Sequence, residues 1–129
     1  MSYKVFISST REDLALAQDL AQRLEAVGIR VAPVKKTSAV GDEIPGTVSR
    51  ALREADEVIF IMTKASGASP GLLTEIGMAY GMKKRVTPVV VNHDPEKLPA
   101  IAGWQPVKYA DLTKYIAQLA KRVKAQNVG

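Results

Sequence analysis

No cysteine occurs in the chain, which excludes disulfide staples and thiolate metal sites. The one histidine, His93, stands in a turn-like Asn-His-Asp-Pro segment without partners at metal-ligand spacing, so it is assigned no role and no metal is expected. No apolar run approaches the length of a bilayer span, and the opening residues MSYKVFISS enter a strand-like pattern instead of a signal peptide. With cysteine absent as well, a cytoplasmic protein without membrane contacts is expected. Aromatic residues are sparse at 5%, and none interleaves with the basic clusters, so nucleic acid is not the expected partner. Neither an internal repeat nor a low-complexity segment is present.

What the chain does have is enough apolar material for one core. At 129 residues and 47% hydrophobic it suits a single domain, with an ordered core expected over about residues 3–124. The net charge of +5 comes largely from Lys83-Lys84-Arg85 and from Lys121-Arg122 with Lys124. Each cluster stands where a helix is expected to end, and cations there complement the helix dipole.

Taken in order, YKVFIS (3–8) is a short β-branched and aromatic run, the mark of a buried strand. Ser9 and Glu12 have capping-box spacing, and the helix they open carries Leu16, Leu20, Leu24 and Val27 on one stripe, with Gly28 as its stop. Ile29 to Val34 is a second strand, which Pro33 marks as an edge. Lys35 to Ile44 is a polar connection too long for a minimal turn, the kind of loop on which binding residues tend to sit. Pro45 suits the first turn of the next helix, whose stripe is Ile44, Val48, Leu52 and Ala55. VIFIM (58–62) reads as a central parallel strand. After a loop and a third helix come VTPVVV (86–91), a proline-rich connection, a short fifth strand within 105–109, and a last helix with Leu112, Ile116, Leu119 and Val123 in line. The tail from Gln126 is expected to fray.

Strands alternating with amphipathic helices make an α/β fold with a parallel sheet covered on both faces, and the expected form is a flavodoxin-like three-layer sandwich with a parallel five-stranded sheet of order 2-1-3-4-5. In such sheets ligands bind beyond the carboxyl ends of the strands where the order reverses, which for the order 2-1-3-4-5 is between strands 1 and 3. The loops bordering that point are Ser8 to Glu12 and Thr63 to Pro70.

The second of these loops delivers Glu75. On a wheel of 100° per residue Glu75 falls about 60° from Leu72, 40° from Ala79 and 20° from Met82, inside the arc that should face protein. Burying an unpaired carboxylate is costly, so either a partner satisfies Glu75 or it faces a crevice that a ligand fills. The plain alternative is an early-helix acid favoured by the dipole and paired with a lysine or arginine. Ser9, Thr10 and Arg11, at the helix start after strand 1, offer backbone N–H groups and a cation to an anion such as a pyrophosphate. The plain alternative for Ser9 is a cap and nothing more, and for Asp42 a loop or cap residue. Asp56 precedes strand 3 and does not follow it, which argues against a phosphoacceptor. Trp104 reads as a packing residue near the last strand, with a ring covering the crevice mouth as the alternative. Gly77 and Gly81 lie about 40° apart on the wheel and, with Thr74, form a smooth strip away from the core. That strip fits either another chain or a loop of the same chain.

VFISST, then VGDEI before a helix, then ADEVIFIMT, then Ser69 ahead of Glu75, in that order and spacing, resemble Toll/interleukin-1 receptor (TIR) domains, particularly the short bacterial kind. The resemblance covers nearly the whole chain. It implies that Glu75 is the catalytic residue of an NAD-cleaving enzyme that breaks the nicotinamide–ribose bond. Ser8, Ser9, Thr10, Arg11, Gly41 and Asp42 would then lie beside the nucleotide and Ser69 near the glutamate. It also implies self-association with other TIR domains, a role in bacterial defence or stress signalling, and no cofactor, since NAD is the substrate. Gly71 and Leu72 stand where many TIR domains carry Trp-Cys. Glu75-Ile76-Gly77 with Ala79 is also similar to nucleoside 2-deoxyribosyltransferases, whose glutamate attacks an anomeric carbon. The alternatives to NAD cleavage are therefore a deoxyribosyltransferase-like enzyme and a non-catalytic TIR-type interaction module.

Overall fold

The computed structural model describes residues 3–32, 46–63, 70–91 and 106–128. Within them lie the strands β1 (Lys4–Ser8), β2 (Arg30–Val31), β3 (Glu57–Met62), β4 (Arg85–Val90) and β5 (Val107–Lys108). The helices are α1 (Leu14–Ala26), α2 (Gly46–Glu54), α3 (Pro70–Gly81) and α4 (Leu112–Val128). All strand pairs are parallel and the sheet order is β2-β1-β3-β4-β5, the flavodoxin-like arrangement expected from sequence.

The chain crosses from β1 to β2 in one direction along the sheet and from β2 to β3 and β4 in the other. With right-handed crossovers, α1 must lie on one face and α2 and α3 on the opposite face. Side chains alternate along each strand, so parity decides which layer a strand residue meets. Odd-numbered Val5, Ile7, Ile59, Ile61 and Val89 pack with Ala17, Leu20 and Leu24 of α1 and with Leu112, Ile116, Leu119 and Val123 of α4. Even-numbered Phe6, Val58, Phe60, Met62 and Val86 pack with Leu52 of α2 and with Ile76 and Ala79 of α3. The two cores are the two outer seams of a three-layer sandwich.

Several element boundaries differ from expectation for identifiable reasons. Helix α1 begins at Leu14, after a 3-10 turn at Arg11–Asp13, and not directly after Ser9. Val27 leaves the predicted apolar stripe and is 45% exposed, because the helix has already ended at Ala26. Gly28 stops it with φ +86°, its N–H bonded to Glu25 O and that of Ile29 to Leu24 O, a Schellman closure. Strand β2 is shorter than the predicted Ile29–Val34, although Ala32 N–H still donates to Val5 O at 2.9 Å, and it is the sheet edge as predicted. Strand β3 starts one position early, at Glu57. Helix α4 continues to Val128, beyond Gln126. No helix among the described residues is long and apolar enough to cross a membrane.

Candidate active site

Ser8 is the last residue of β1 and shares parity with Phe6, so its side chain points into the layer that holds α3. Glu75 lies in α3 next to Ile76, which packs in that same layer. The two meet: Ser8 Oγ donates to Glu75 Oε1 at 3.1 Å. Both are buried, Glu75 with only 3% of its surface exposed. The meeting point lies at the carboxyl end of β1, beside β3, where the strand order reverses and where the topology predicts a ligand crevice.

Burial pushes the Glu75 carboxyl up to about 7 from an ordinary value of 4.5, while the Ser8 hydrogen bond pulls it down. No ion pair involves Glu75 among the described residues, so the plain alternative of an early-helix acid neutralised by a lysine or arginine is not the arrangement seen there. A carboxylate stripped of water, held by one hydroxyl and balanced near neutrality can exist in either charge state under physiological conditions. Such a group can take a proton, stabilise positive charge or attack an electron-poor carbon.

The other residues expected at the site divide into three groups. Ser9 and Thr10 are buried immediately beyond β1, at the same rim as Glu75. Arg11 opens the 3-10 turn. Gly41, Asp42 and Ser69 lie outside the described residues, as do His93 and Trp104.

Thr10 is committed to a partner that sequence reading missed. Its hydroxyl donates to Asp13 Oδ2 at 2.8 Å, and Thr63 Oγ1, just past β3, donates to the same oxygen at 2.7 Å. The sequence contains two overlapping hydroxyl-x-x-acid spacings, Ser9 with Glu12 and Thr10 with Asp13. Glu12 is exposed and Asp13 buried, so the second spacing is the one the fold uses. The signal was present but shifted by one residue.

A different carboxylate cluster occupies the opposite rim. Glu57, at the start of β3, is fully buried and accepts hydrogen bonds from Tyr3 Oη (2.8 Å), Thr87 Oγ1 (3.1 Å), Tyr115 Oη and Arg122 Nη2 (2.6 Å). Arg85 Nε stands 3.6 Å away. So saturated a carboxylate is an anchor and not a reactive group. A groove between the end of α1 and α4, lined by Val27, Gly28, Val123 and Lys124, is also far from the rim that holds Glu75 and contains no acid. No cluster of metal-ligating side chains occurs among the described residues.

Asp56, read as an unsuitable phosphoacceptor, indeed sits at this amino-terminal rim, where its Oδ2 accepts from Lys4 N–H at 2.8 Å. Gly77 and Gly81 face outward, and a Cβ at either would meet nothing within 4 Å, so the strip they form is not packed against a described loop.

The chain matches the TIR domain family over residues 5–124. No curated protein matches it by sequence. Among solved structures it is similar to the TIR domains of the activated Roq1 resistosome, which directly recognizes a pathogen effector, at 25% identity and a TM-score of 0.60. That match covers 74% of this chain and 61% of the other, so the chain spans less than two thirds of that relative's length. The TIR domain of a Toll-related receptor of Hydra magnipapillata superposes with a TM-score of 0.66 at 16% identity, covering 98% of each chain. A CMP N-glycosidase of Clostridium botulinum gives a TM-score of 0.61 at 22% identity, covering 90% of this chain and 97% of that one. These last two likenesses concern the fold. With its sequence matched from Val5 to Lys124 and its sheet in the order such domains share, the chain belongs to the TIR domain family.

Proposed function

We propose that this TIR domain cleaves an N-glycosidic bond, with NAD as substrate and Glu75 as the catalytic residue. The observation that carries this reading is a buried carboxylate, bonded to Ser8 and pushed up to about 7, at the switch point of the sheet. In NAD the nicotinamide departs from a cationic ring. The C1′–N bond breaks with its electron pair going to the ring nitrogen, which leaves neutral, so no general acid is required. Positive charge then develops on the ribose, as in other glycosyl transfers, and a fixed negative charge beside it stabilises the transition state. Water adds to C1′ and gives up a proton, leaving nicotinamide, ADP-ribose and H⁺. Glu75 acts in its ionised form, and Ser8, by donating to Oε1, favours that form and holds its orientation. Ser9 and Thr10, buried at the same rim, support a substrate-binding role there, and Arg11, Gly41, Asp42 and Ser69 belong to the proposed site through the family pattern. The site uses no cofactor.

Purified protein incubated with NAD, with CMP, and with a deoxynucleoside plus a free base distinguishes the candidate substrates. Release of nicotinamide, lost by at least about 100-fold in Glu75→Ala, is the expected result. CMP cleavage or base exchange lost in the same variant would keep Glu75 and change the substrate. No turnover of any of them would leave an interaction module.

The interaction reading has its own supporting observation. Helix α3 turns outward Thr74, Gly77, Tyr80 (59% exposed) and its last residue Gly81, and Gly77 is costly in the helix interior unless another surface approaches closely. Self-association through this strip accompanies catalysis in our proposal, as part of a bacterial defence or stress response in the cytoplasm. Sedimentation at rising concentration, with and without nucleotide, should show reversible association that Gly77→Lys abolishes; a strict monomer throughout would remove this part of the reading.

A further inference from the structure

Strands β1 and β3 run side by side up to the Ser8–Phe60 register pair, and β3 continues to Met62. Beyond those residues the chain leaves β1 toward α1 and leaves β3 at Thr63. The separation of their exits matters, because Ser8 belongs to the first and the second leads to Glu75. Asp13 bridges the gap. Its Oδ2 accepts one hydroxyl from each exit, Thr10 at 2.8 Å and Thr63 at 2.7 Å, and its own N–H donates to Thr10 O at 3.1 Å. It is 8% exposed and directly precedes α1, so the bridge is rooted in a packed helix. A carboxylate suits this place, since hydrogen bonds to an ionised acceptor are stronger than those between neutral groups and one oxygen can take both hydroxyls. An apolar residue would take away the acceptor that the buried Thr10 hydroxyl and the half-buried Thr63 hydroxyl share.

We propose that Asp13 is a positioning residue, which clamps the exits of β1 and β3 through Thr10 and Thr63 and thereby sets Ser8 against Glu75. Its hydrogen bonds go to the threonines, so it acts through Ser8 and is not a catalytic residue. Only the kinetic consequence rests on the reading of Glu75 as the reacting group.

The test follows the titration of the Glu75 carboxyl by NMR in ¹³C-glutamate-labelled full-length protein. Ser8→Ala removes the hydrogen bond that favours the ionised form, so its midpoint should rise by at least about 0.5 pH unit. Asp13→Ala should produce the same rise, and adding it to Ser8→Ala should move the midpoint no further, because both act through one contact. Thr63→Val, which keeps the shape and removes one donor, should share the effect, and Thr63→Ser should restore the wild-type midpoint. If Asp13→Ala does not fold, Thr63→Val and Thr63→Ser alone decide the matter. A midpoint that stays put or falls while stability drops would overturn the proposal and make Asp13 a scaffold residue, as would shifts that simply add. Where NAD is turned over, Asp13→Ala should lower kcat about 10-fold with KM changed less than about 3-fold, the signature of misplacement. Wild-type protein without any turnover would refute the enzymatic reading, yet the titration would still decide the role of Asp13.

Discussion

Glu75 links stability and activity through a single proton. Its carboxyl titrates near 7 in the folded chain against an ordinary 4.5, so between those values the native state holds a proton that the unfolded state has released. Stability from this group is therefore fully present below about 4.5 and declines as pH rises to 7, by on the order of 3 kcal/mol. Removing the titration while keeping the shape should remove that loss. Glu75→Gln is expected to match wild type in urea unfolding at pH 4 and to exceed it at pH 8 by up to roughly 3 kcal/mol, while turnover disappears. Equal stability of the two proteins at pH 8 would mean that the carboxylate is far better solvated than its burial implies. Wheel position alone singles out Glu75, because a helix imposes one angle per residue. Ser8 is different: as a sequence feature it is one serine among several near the start of the chain, and the family resemblance, not its spacing, marks it.

Two helix ends show how much an element's chemistry depends on its neighbours. The end of α3 closes like that of α1, with Lys83 N–H bonded to Tyr80 O and Lys84 N–H to Ala79 O, but here a lysine with φ 55° holds the left-handed position that glycine holds after α1. A side chain in that conformation costs about 1–2 kcal/mol, partly offset by the greater chain entropy glycine loses on folding. Lys83→Gly should therefore stabilise the protein by about 0.5–1 kcal/mol, read as a higher urea midpoint with an unchanged slope. The basic cluster after α3 is expected to complement the dipole of the helix it follows. Lys84 instead reaches across to α2, donating to Arg53 O at 2.7 Å and Ala55 O at 2.8 Å, and so caps a helix that ends thirty residues earlier in the chain. Sequence supplies the sign of the charge and its place along the chain, but a four-carbon side chain chooses its carbonyls in space.

Across the whole molecule, the two rims of the sheet have opposite duties. At the amino-terminal rim Glu57 gathers Tyr3, Thr87, Tyr115 and Arg122, tying the segment before β1, the strands β3 and β4, and α4 to one point. Burial, followed by the charge of Glu57, pushes the Tyr3 hydroxyl up to about 12, and the Tyr115 hydroxyl moves up for the same reasons. Both phenols thus stay protonated as donors. Glu57→Gln leaves the Arg122 guanidinium, whose Nε is already buried without a partner, facing a neutral amide. It should lower stability by about 2–4 kcal/mol in urea unfolding while leaving the Glu75 midpoint unmoved, since the two carboxylates stand at opposite ends of the sheet. A shift of that midpoint would show that the anchor and the site are coupled. The order of apolar runs and helix signals determined the sandwich, the edge position of β2 and the rim on which a ligand would bind, because periodicity and crossover handedness are local rules with few joint solutions. Only the tertiary structure decided that Ser8 meets Glu75, that Thr10 and Thr63 share Asp13, and that Glu57 is an anchor. Apart from Thr10 with Asp13, whose three-residue spacing is local, each of those contacts joins residues far apart in the chain, and such a contact depends on the parity of a strand, the rotation of a helix and the register between strands acting at once.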